Sequence, residues 1–109
     1  MNRGEIWTAS GGGAYVGKPR PVVVVQDDRF AGLGSVTICA FTTFGASARI
    51  FRIGVLPSAQ NGLDQPSQLM VDKLTTVPKA RLHRRLGRLG DKDMVRLNRA
   101  ILVFLGLAG

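Results

Sequence analysis

The sequence predicts a small, strongly bent antiparallel β-sheet or barrel with one helix at its C-terminal end. Three observations favour this fold class. Glycine makes up 14 of 109 residues, roughly twice the usual ~7%, and most glycines separate short apolar runs as tight turns do. The runs themselves are rich in β-branched residues, whereas helical periodicity begins only after Gly90. The length is that of one domain, so residues 1–109 are expected to form a single unit.

The first half of the chain predicts three strands. Glu5–Ala9 is a short first strand, and residues 22–26, opened by Pro21, are apolar on both faces as in a central buried strand. The acidic residues at 27 and 28 end that strand. Ser35–Thr43 is the next strand, because it is again rich in β-branched and apolar residues.

Three further strands are predicted in the second half. In residues 50–56 the apolar Phe51, Ile53 and Val55 alternate with Arg52 and Gly54, which is typical of a strand with one buried face. A short strand over residues 67–72 follows a polar loop at 58–66, and a last strand covers residues 84–89. Between these two strands a helical turn starts at Pro78.

An amphipathic helix is predicted from Asp91 to about Gly106. Asp91 is a favourable N-cap, and Asp93 lies in the first turn, where the helix dipole stabilises negative charge. Apolar residues recur at three- and four-residue steps, at Met94, Leu97, Ile101 and Phe104. This stripe offers more apolar surface than a lone barrel of this size can cover, so we expect a homodimer.

The composition excludes several classes of protein. One cysteine and one histidine cannot form an internal disulfide or supply four zinc ligands, which indicates a reducing, cytoplasmic compartment. The N-terminus lacks the apolar region of a secretory signal. The longest apolar stretch, residues 100–108, is far shorter than the ~20 residues that cross a bilayer, so no membrane association is expected.

Several enzyme chemistries are also disfavoured. A metal nuclease needs converging carboxylates, whereas the acidic pairs 27–28 and 91/93 have ordinary roles at a strand end and a helix start. We therefore expect no metal and no cofactor. A single His83, expected at the surface, excludes a histidine pair, and Cys39 lies mid-strand as a small core residue. The glycines at 11–13 lack the Lys-Ser/Thr of a phosphate-binding loop.

The net charge of +8 is concentrated in one quarter of the chain. Residues 73–99 hold nine of the 15 Lys and Arg residues but only two of the seven acidic ones. Two interpretations remain open at this point. The charge either forms a solvated face that keeps the protein in solution, or it binds a polyanion, which would be a phosphate backbone or an acidic protein.

Cations and hydroxyls at strand ends are the remaining candidates for a site. Lys18-Pro-Arg-Pro21 lies where a loop enters the buried valine strand, and the two prolines hold Arg20 on an extended backbone. Thr42 and Thr43 close the neighbouring strand. Taken singly, each of these residues is compatible with a purely structural role.

The order of these motifs resembles the MazF/PemK toxins of toxin–antitoxin systems over nearly the whole chain. The matching segments are Arg3-Gly-Glu-Ile-Trp7, Arg20-Pro-Val-Val-Val-Val-Gln-Asp-Asp28, Ala40-Phe-Thr-Thr43, Val71-Asp-Lys-Leu-Thr-Thr-Val77 and Leu86-Gly-Arg-Leu-Gly-Asp91. The resemblance implies the SH3-like barrel that these toxins share with the gyrase poison CcdB, with short helices beside a mainly β fold (α+β), in a two-fold dimer. It also implies metal-independent cleavage of single-stranded RNA at a short sequence.

The resemblance further implies which residues act. Arg20 and Thr42 correspond to the central catalytic pair, with Thr43 in support, and a small acidic antitoxin would hold the toxin inactive. Contacts with RNA are expected from Lys18, Arg49, Asp72, Lys73 and Arg81. Two departures from the family pattern stand out. Residues 11–17 lack the family's acid and amide, and Thr75 replaces its usual arginine.

Two alternatives from other classes remain. A CcdB-like gyrase inhibitor would need no catalysis, but those proteins use a Trp-containing C-terminal tip, and here Trp7 is near the other terminus. A non-catalytic nucleic-acid-binding barrel would need exposed aromatic residues for stacking. The five Phe, one Tyr and one Trp fall mostly in predicted strands.

Overall fold

The computed structural model describes residues 1–10, 19–43 and 51–109. Predictions that fall on residues 11–18 and 44–50, including those for Lys18 and Arg49, lie outside the described residues. The described part forms a seven-stranded sheet followed by one helix, α1 (Asp91–Phe104). The strands are β1 (Glu5–Ala9), β2 (Arg20–Val24), β3 (Ser35–Thr43), β4 (Arg52–Val55), β5 (Ser67–Met70), β6 (Thr75–Pro78) and β7 (Leu82–Arg88).

Every strand pair is antiparallel, and the order across the sheet is β4-β5-β3-β2-β1-β7. The long strand β3 organises this arrangement. Strand β3 pairs with β2, where Ala40 lies opposite Val22. The first residues of β3 pair with β6, and its last three residues pair with β5. The predicted class, a mainly β protein with one terminal helix, is confirmed.

Buried side chains lie on both faces of the sheet because successive residues of each strand alternate between the faces. One cluster includes Ile6, Val23, Phe41 and Leu69 and is covered by α1 through Leu97. The other cluster lies on the opposite face, with Ala9, Val22, Val24, Val36, Ile38, Ala40 and Leu82 as its buried members. The two-sided burial of β2 explains why its sequence is apolar without alternation.

Strands β1 and β3 have the predicted bounds, but several other boundaries were wrong. Strand β2 begins at Arg20 and ends at Val24, β5 ends at Met70 before a 3₁₀ turn over Val71–Lys73, and β7 begins at Leu82. The prediction missed β6, because its Thr75–Pro78 sequence is polar and mostly exposed and so shows no apolar alternation.

The start of α1 also differs from the prediction. Gly90 is the N-cap residue and makes no side-chain cap, whereas Asp91 and Asp93 both lie within the first turn, where they still favour the helix dipole. Leu97 is buried, and Phe104 contacts Phe51 edge to face with ring centroids 5.2 Å apart. Large apolar side chains remain exposed at the end of the helix and beyond it: Leu102, Val103, Leu105 and Leu107. Within the described residues no helix is long and apolar enough to span a bilayer.

Candidate active site

A cleft of about 300 Å³ opens where β1, β2, β3 and β7 meet the loop that precedes β5. Its walls include Thr8, Arg20, Thr43, Asp64 and Arg84. With Ser67 included, two arginines, three hydroxyl-bearing residues and one acidic residue line a single small cavity. Such a set can bind an anion and hydrogen-bond its oxygens.

Arg20 is the first residue of β2 and is held from both sides. Its Cα partner in β1 is Ala9, and Pro19 and Pro21 restrict the backbone on either side of it. The residue is exposed. The sheet thus fixes the backbone of Arg20, while its side chain stays available to a ligand.

The two threonines at the end of β3 face opposite sides of the sheet. Thr43 is exposed and lines the cleft, whereas Thr42 is half-buried. Val22 pairs with Ala40, and continuing that register by two residues places Thr42 opposite Arg20 on the same face. The structure therefore brings the three predicted catalytic residues together at one end of the sheet, with Thr43 in the cleft and Thr42 beside Arg20.

Arg84 and Asp64 are cleft residues that the sequence did not single out. The Arg84 backbone N–H donates to Thr8 Oγ1 at 3.1 Å, which ties β7 to β1 beside an irregularity in their pairing. The sequence offered one weak signal, because Arg84 belongs to the basic run at 81–85. Asp64 lies in a polar loop and gave no signal at all.

The other predicted RNA contacts lie elsewhere in the described part of the chain, since Asp72, Lys73 and Arg81 do not line this cleft. Asp72 forms a two-point ion pair with Arg52, whose Nε and Nη2 donate to it at 3.0 and 3.4 Å. Partial burial opposes ionisation of Asp72, but the hydrogen bonds and charge of Arg52 outweigh it and lower the pKa of the carboxyl. The acid is thus already neutralised by a neighbour, whereas Lys73 and Arg81 are exposed.

His83 and Cys39 match their predicted places. His83 is exposed, and its Nε2 is hydrogen-bonded to the Ser10 hydroxyl. Cys39 is buried, and burial raises the pKa of its thiol to about 12, so the thiol is protonated at neutral pH and is a poor nucleophile. No group of three or more potential metal ligands occurs within residues 1–10, 19–43 and 51–109.

The fold and the cleft together define a class: a small antiparallel β protein with one terminal helix and an arginine–threonine site suited to phosphate oxygens. Comparisons with known proteins make the class specific. Residues 2–105 match the family described as the PemK-like, MazF-like toxin of type II toxin–antitoxin systems. The chain therefore belongs to the PemK/MazF toxin family.

Individual relatives agree with this assignment. The chain is 54% identical, over the full length of both proteins, to the "Probable endoribonuclease MazF" of Mycolicibacterium smegmatis. Among solved structures it is similar to the Mycobacterium tuberculosis toxin MazF-mt6, with a TM-score of 0.79 and 28% identity over 96% of this chain and 99% of that one. A mycobacterial endoribonuclease in complex with its cognate antitoxin shares the fold with a TM-score of 0.83 and 21% identity, over 100% of this chain and 98% of that one.

Proposed function

We propose that this chain is a sequence-specific endoribonuclease toxin that cleaves single-stranded RNA without a metal ion, and so inhibits translation and growth. The observation that carries the proposal is that Arg20 and Thr43 line one cleft, with Thr42 beside Arg20 in the continued strand register. The chain that holds this cleft belongs to a toxin family and is 54% identical to a named endoribonuclease.

The chemistry requires groups of the kind that the cleft contains. The RNA's own 2′-oxygen attacks the adjacent phosphorus and passes its proton to solvent water as a new P–O bond forms. The P–O bond to the leaving 5′-oxygen breaks as that oxygen takes a proton from a donor in the cleft. Negative charge develops on the phosphoryl oxygens between these events. Stabilising that charge with fixed donors lowers the barrier.

Each residue has a role in this scheme. The guanidinium of an arginine is a cation with several hydrogen-bond donors, so Arg20 clamps the phosphate, stabilises the developing charge and donates the proton to the leaving oxygen. It is unsuited to act as a general base. Thr42 orients the 2′-hydroxyl or hydrogen-bonds the phosphate, and Thr43 supports it from the cleft side. Arg84 adds a second cation to the same wall.

The surrounding basic residues extend the site along the RNA. Lys73 and Arg81 are exposed and contact neighbouring phosphates, and Lys18 and Arg49 remain predicted contacts from the sequence. Asp72 is a weaker candidate for direct RNA contact than the sequence indicated, because its carboxylate already forms an ion pair with Arg52. It holds Arg52 and the adjacent turn in place instead.

The partners follow from the charge and the apolar surface. The exposed apolar residues at the end of α1 pair with a second copy in a homodimer, which forms in the cytoplasm. A cognate antitoxin with an acidic tail occupies the cations that RNA phosphates otherwise use. Such a tail orders only in the complex, so it covers a large surface at modest affinity per area.

The decisive experiment is RNA cleavage in EDTA, run beside an assay of gyrase supercoiling. We expect cleavage of single-stranded RNA in the presence of chelator, with 5′ ends that map to one short sequence, and no effect on gyrase. Supercoiling inhibition without RNA cleavage would establish the CcdB-like alternative instead. RNA binding with neither effect would establish a non-catalytic binding protein.

Inhibition is tested with the cognate antitoxin at two salt concentrations. Association should slow as ionic strength rises, because screening weakens charge steering between exposed groups. A non-cleavable RNA analogue should displace the antitoxin. Salt-independent association, or a toxin that holds both ligands at once, would contradict competition for the same cations.

A further inference from the structure

Gln68 of β5 has a buried amide oxygen without a hydrogen-bond partner. The residue is 5% exposed, and its Oε1 is the buried side-chain oxygen for which the described residues supply no donor. Buried polar atoms are hydrogen-bonded in the great majority of cases. Leaving such an oxygen without a donor destabilises the folded protein, so its presence requires an explanation.

The register of the sheet places this amide next to the proposed catalytic pair. Gln68 is the direct Cα partner of Thr42, and directly opposed residues share a face of the sheet with Cβ atoms about 4.5–5.5 Å apart. Arg20 lies opposite Thr42 on its other side when the β2–β3 register is continued. The three polar residues Arg20, Thr42 and Gln68 thus form one lateral row across β2, β3 and β5.

The other residues in this row offer the Gln68 amide few alternative hydrogen-bond partners. On the far side of Gln68 its Cα partner is Gly54 in β4, which has no side chain. Ala9 lies at the opposite end of the row, beyond Arg20. Within the row, the Thr42 hydroxyl is therefore the donor on the residue directly opposite Gln68.

Resting on the proposed function, we infer that Gln68 is a positioning residue for RNA cleavage. In the complex with RNA, the Thr42 hydroxyl donates its hydrogen to Gln68 Oε1. A hydroxyl whose hydrogen is committed in this way presents its lone pairs in a fixed direction. It then accepts from the attacking 2′-hydroxyl, on the side of the row where Arg20 holds the phosphate.

The first test replaces the amide by an apolar group of similar length, Gln68→Met. We expect kcat for RNA cleavage to fall roughly tenfold, the rate equivalent of about one lost hydrogen bond, while KM stays within error. The thermal unfolding midpoint should rise, because the variant no longer buries an oxygen without a donor. Opposite changes in rate and stability are not expected of a residue that only supports the fold.

A double-mutant cycle tests whether Gln68 acts through Thr42. If it does, Thr42→Val/Gln68→Met should cleave no more slowly than Thr42→Val alone. Thr37→Val is the matched control, because it makes the same substitution near the other end of β3 and should leave cleavage unchanged. Multiplied losses in the double variant would mean that Gln68 acts independently of Thr42, and would overturn the inference.

A second variant keeps the test decisive if Gln68→Met does not fold. Gln68→Asn retains the amide but withdraws its oxygen from Thr42 by one methylene, so we expect kcat to fall with KM unchanged. Normal cleavage by a folded Gln68→Met or Gln68→Asn variant would overturn the positioning role while leaving the proposed function intact. Absence of cleavage by the wild-type protein would overturn the proposed function and the role of Gln68 with it.

Discussion

Asn61 and Gln68 are two buried carboxamides that differ in how their side-chain oxygens are hydrogen-bonded. Asn61 is 3% exposed; its Oδ1 accepts from the backbone N–H groups of Ser58 and Leu63, each at 3.0 Å, and its Nδ2 donates to the Leu56 carbonyl at 2.9 Å. Gln68 is 5% exposed, and its oxygen has no donor in the described chain. The first amide stabilises a loop, and the oxygen of the second is left to accept from the Thr42 hydroxyl in the complex with RNA.

Two arginines show the same contrast. Arg52 is largely buried and both its Nε and Nη2 are used by Asp72, whereas Arg20 is exposed at the rim of the cleft. Residue type therefore does not separate structural from functional groups in this protein. What separates them is whether the described chain supplies hydrogen-bond or ionic partners. Arg20 and Gln68 lack such partners and are open groups, whereas Arg52 and Asn61 have them and are closed groups. Substitutions at open groups should change rates, and substitutions at closed groups should change stability.

The largest effect is expected at the open arginine. Arg20→Ala should reduce RNA cleavage by about 10²–10³-fold, because one donor to the transition state is lost, and it should leave the unfolding midpoint close to that of the wild type. Single-turnover cleavage and thermal unfolding measure the two quantities. Arg29→Ala, at an arginine whose side chain is 80% exposed in another turn, is the control and should cleave normally. Near wild-type cleavage by Arg20→Ala would contradict the proposal that this cleft is the active site.

Among the substitutions expected to change stability, Gly87→Ala should give the largest loss. A Cβ at this position would lie 2.2 Å from the Gln60 carbonyl oxygen, so the loop that contains Asn61 must move away from β7. We expect about 3 kcal/mol of destabilisation, the upper range for overpacking, measured by denaturant unfolding. Gly32→Ala meets nothing within 4 Å and should change stability little. Equal stability of the two variants would show that the close loop contact is not required.

Asn61→Ala should cost about 2 kcal/mol of folding free energy, since three backbone groups, including the N–H of the buried Leu63, lose their partner. The matched control is Ser58→Ala in the same loop, which removes only the acceptor for the Asn61 backbone N–H at 3.1 Å. Its loss should be clearly smaller in the same denaturation experiment. Cleavage by the folded fraction should be normal for both variants, and a specific loss of kcat in Asn61→Ala would contradict the contrast with Gln68.

The smallest effect is a change in acid stability. Arg52 lowers the pKa of Asp72 in the folded state, so the ionised carboxylate adds stability above its unfolded-state pKa, and that stability is lost as pH falls through the folded-state value. Arg52→Met should cost about 1–2 kcal/mol at neutral pH and show a shallower loss of stability on acidification. Unfolding curves at several pH values between neutral and strongly acidic test this. Parallel pH profiles for the variant and the wild type would show that the Arg52–Asp72 ion pair does not cause the loss of stability at low pH.

The sequence predicts the parts of this protein in which local pattern and tertiary environment agree. Strands β1 and β3 have the predicted bounds because their apolar residues match their burial, and Arg20 and Thr42 stood out because strand ends and flanking prolines are visible locally. Strand β6 was missed because its stability comes from pairing with β3 rather than from its own apolar residues. Gln68 could not be found from the sequence, since only the structure shows that its oxygen lacks a donor and that Thr42 lies opposite it.

The pairing of β1 with β7 has a consequence for the order in which the protein is made. Thr8, Arg20 and Thr43 are synthesised early, but the wall formed by Arg84 and Leu86 belongs to β7, the last strand to leave the ribosome. A nascent chain therefore carries the arginine and both threonines before it possesses a cleft. Completion of the cleft is delayed until β7 docks on β1, so a partly translated chain has the proposed catalytic side chains without the enclosure that would let them hold an RNA.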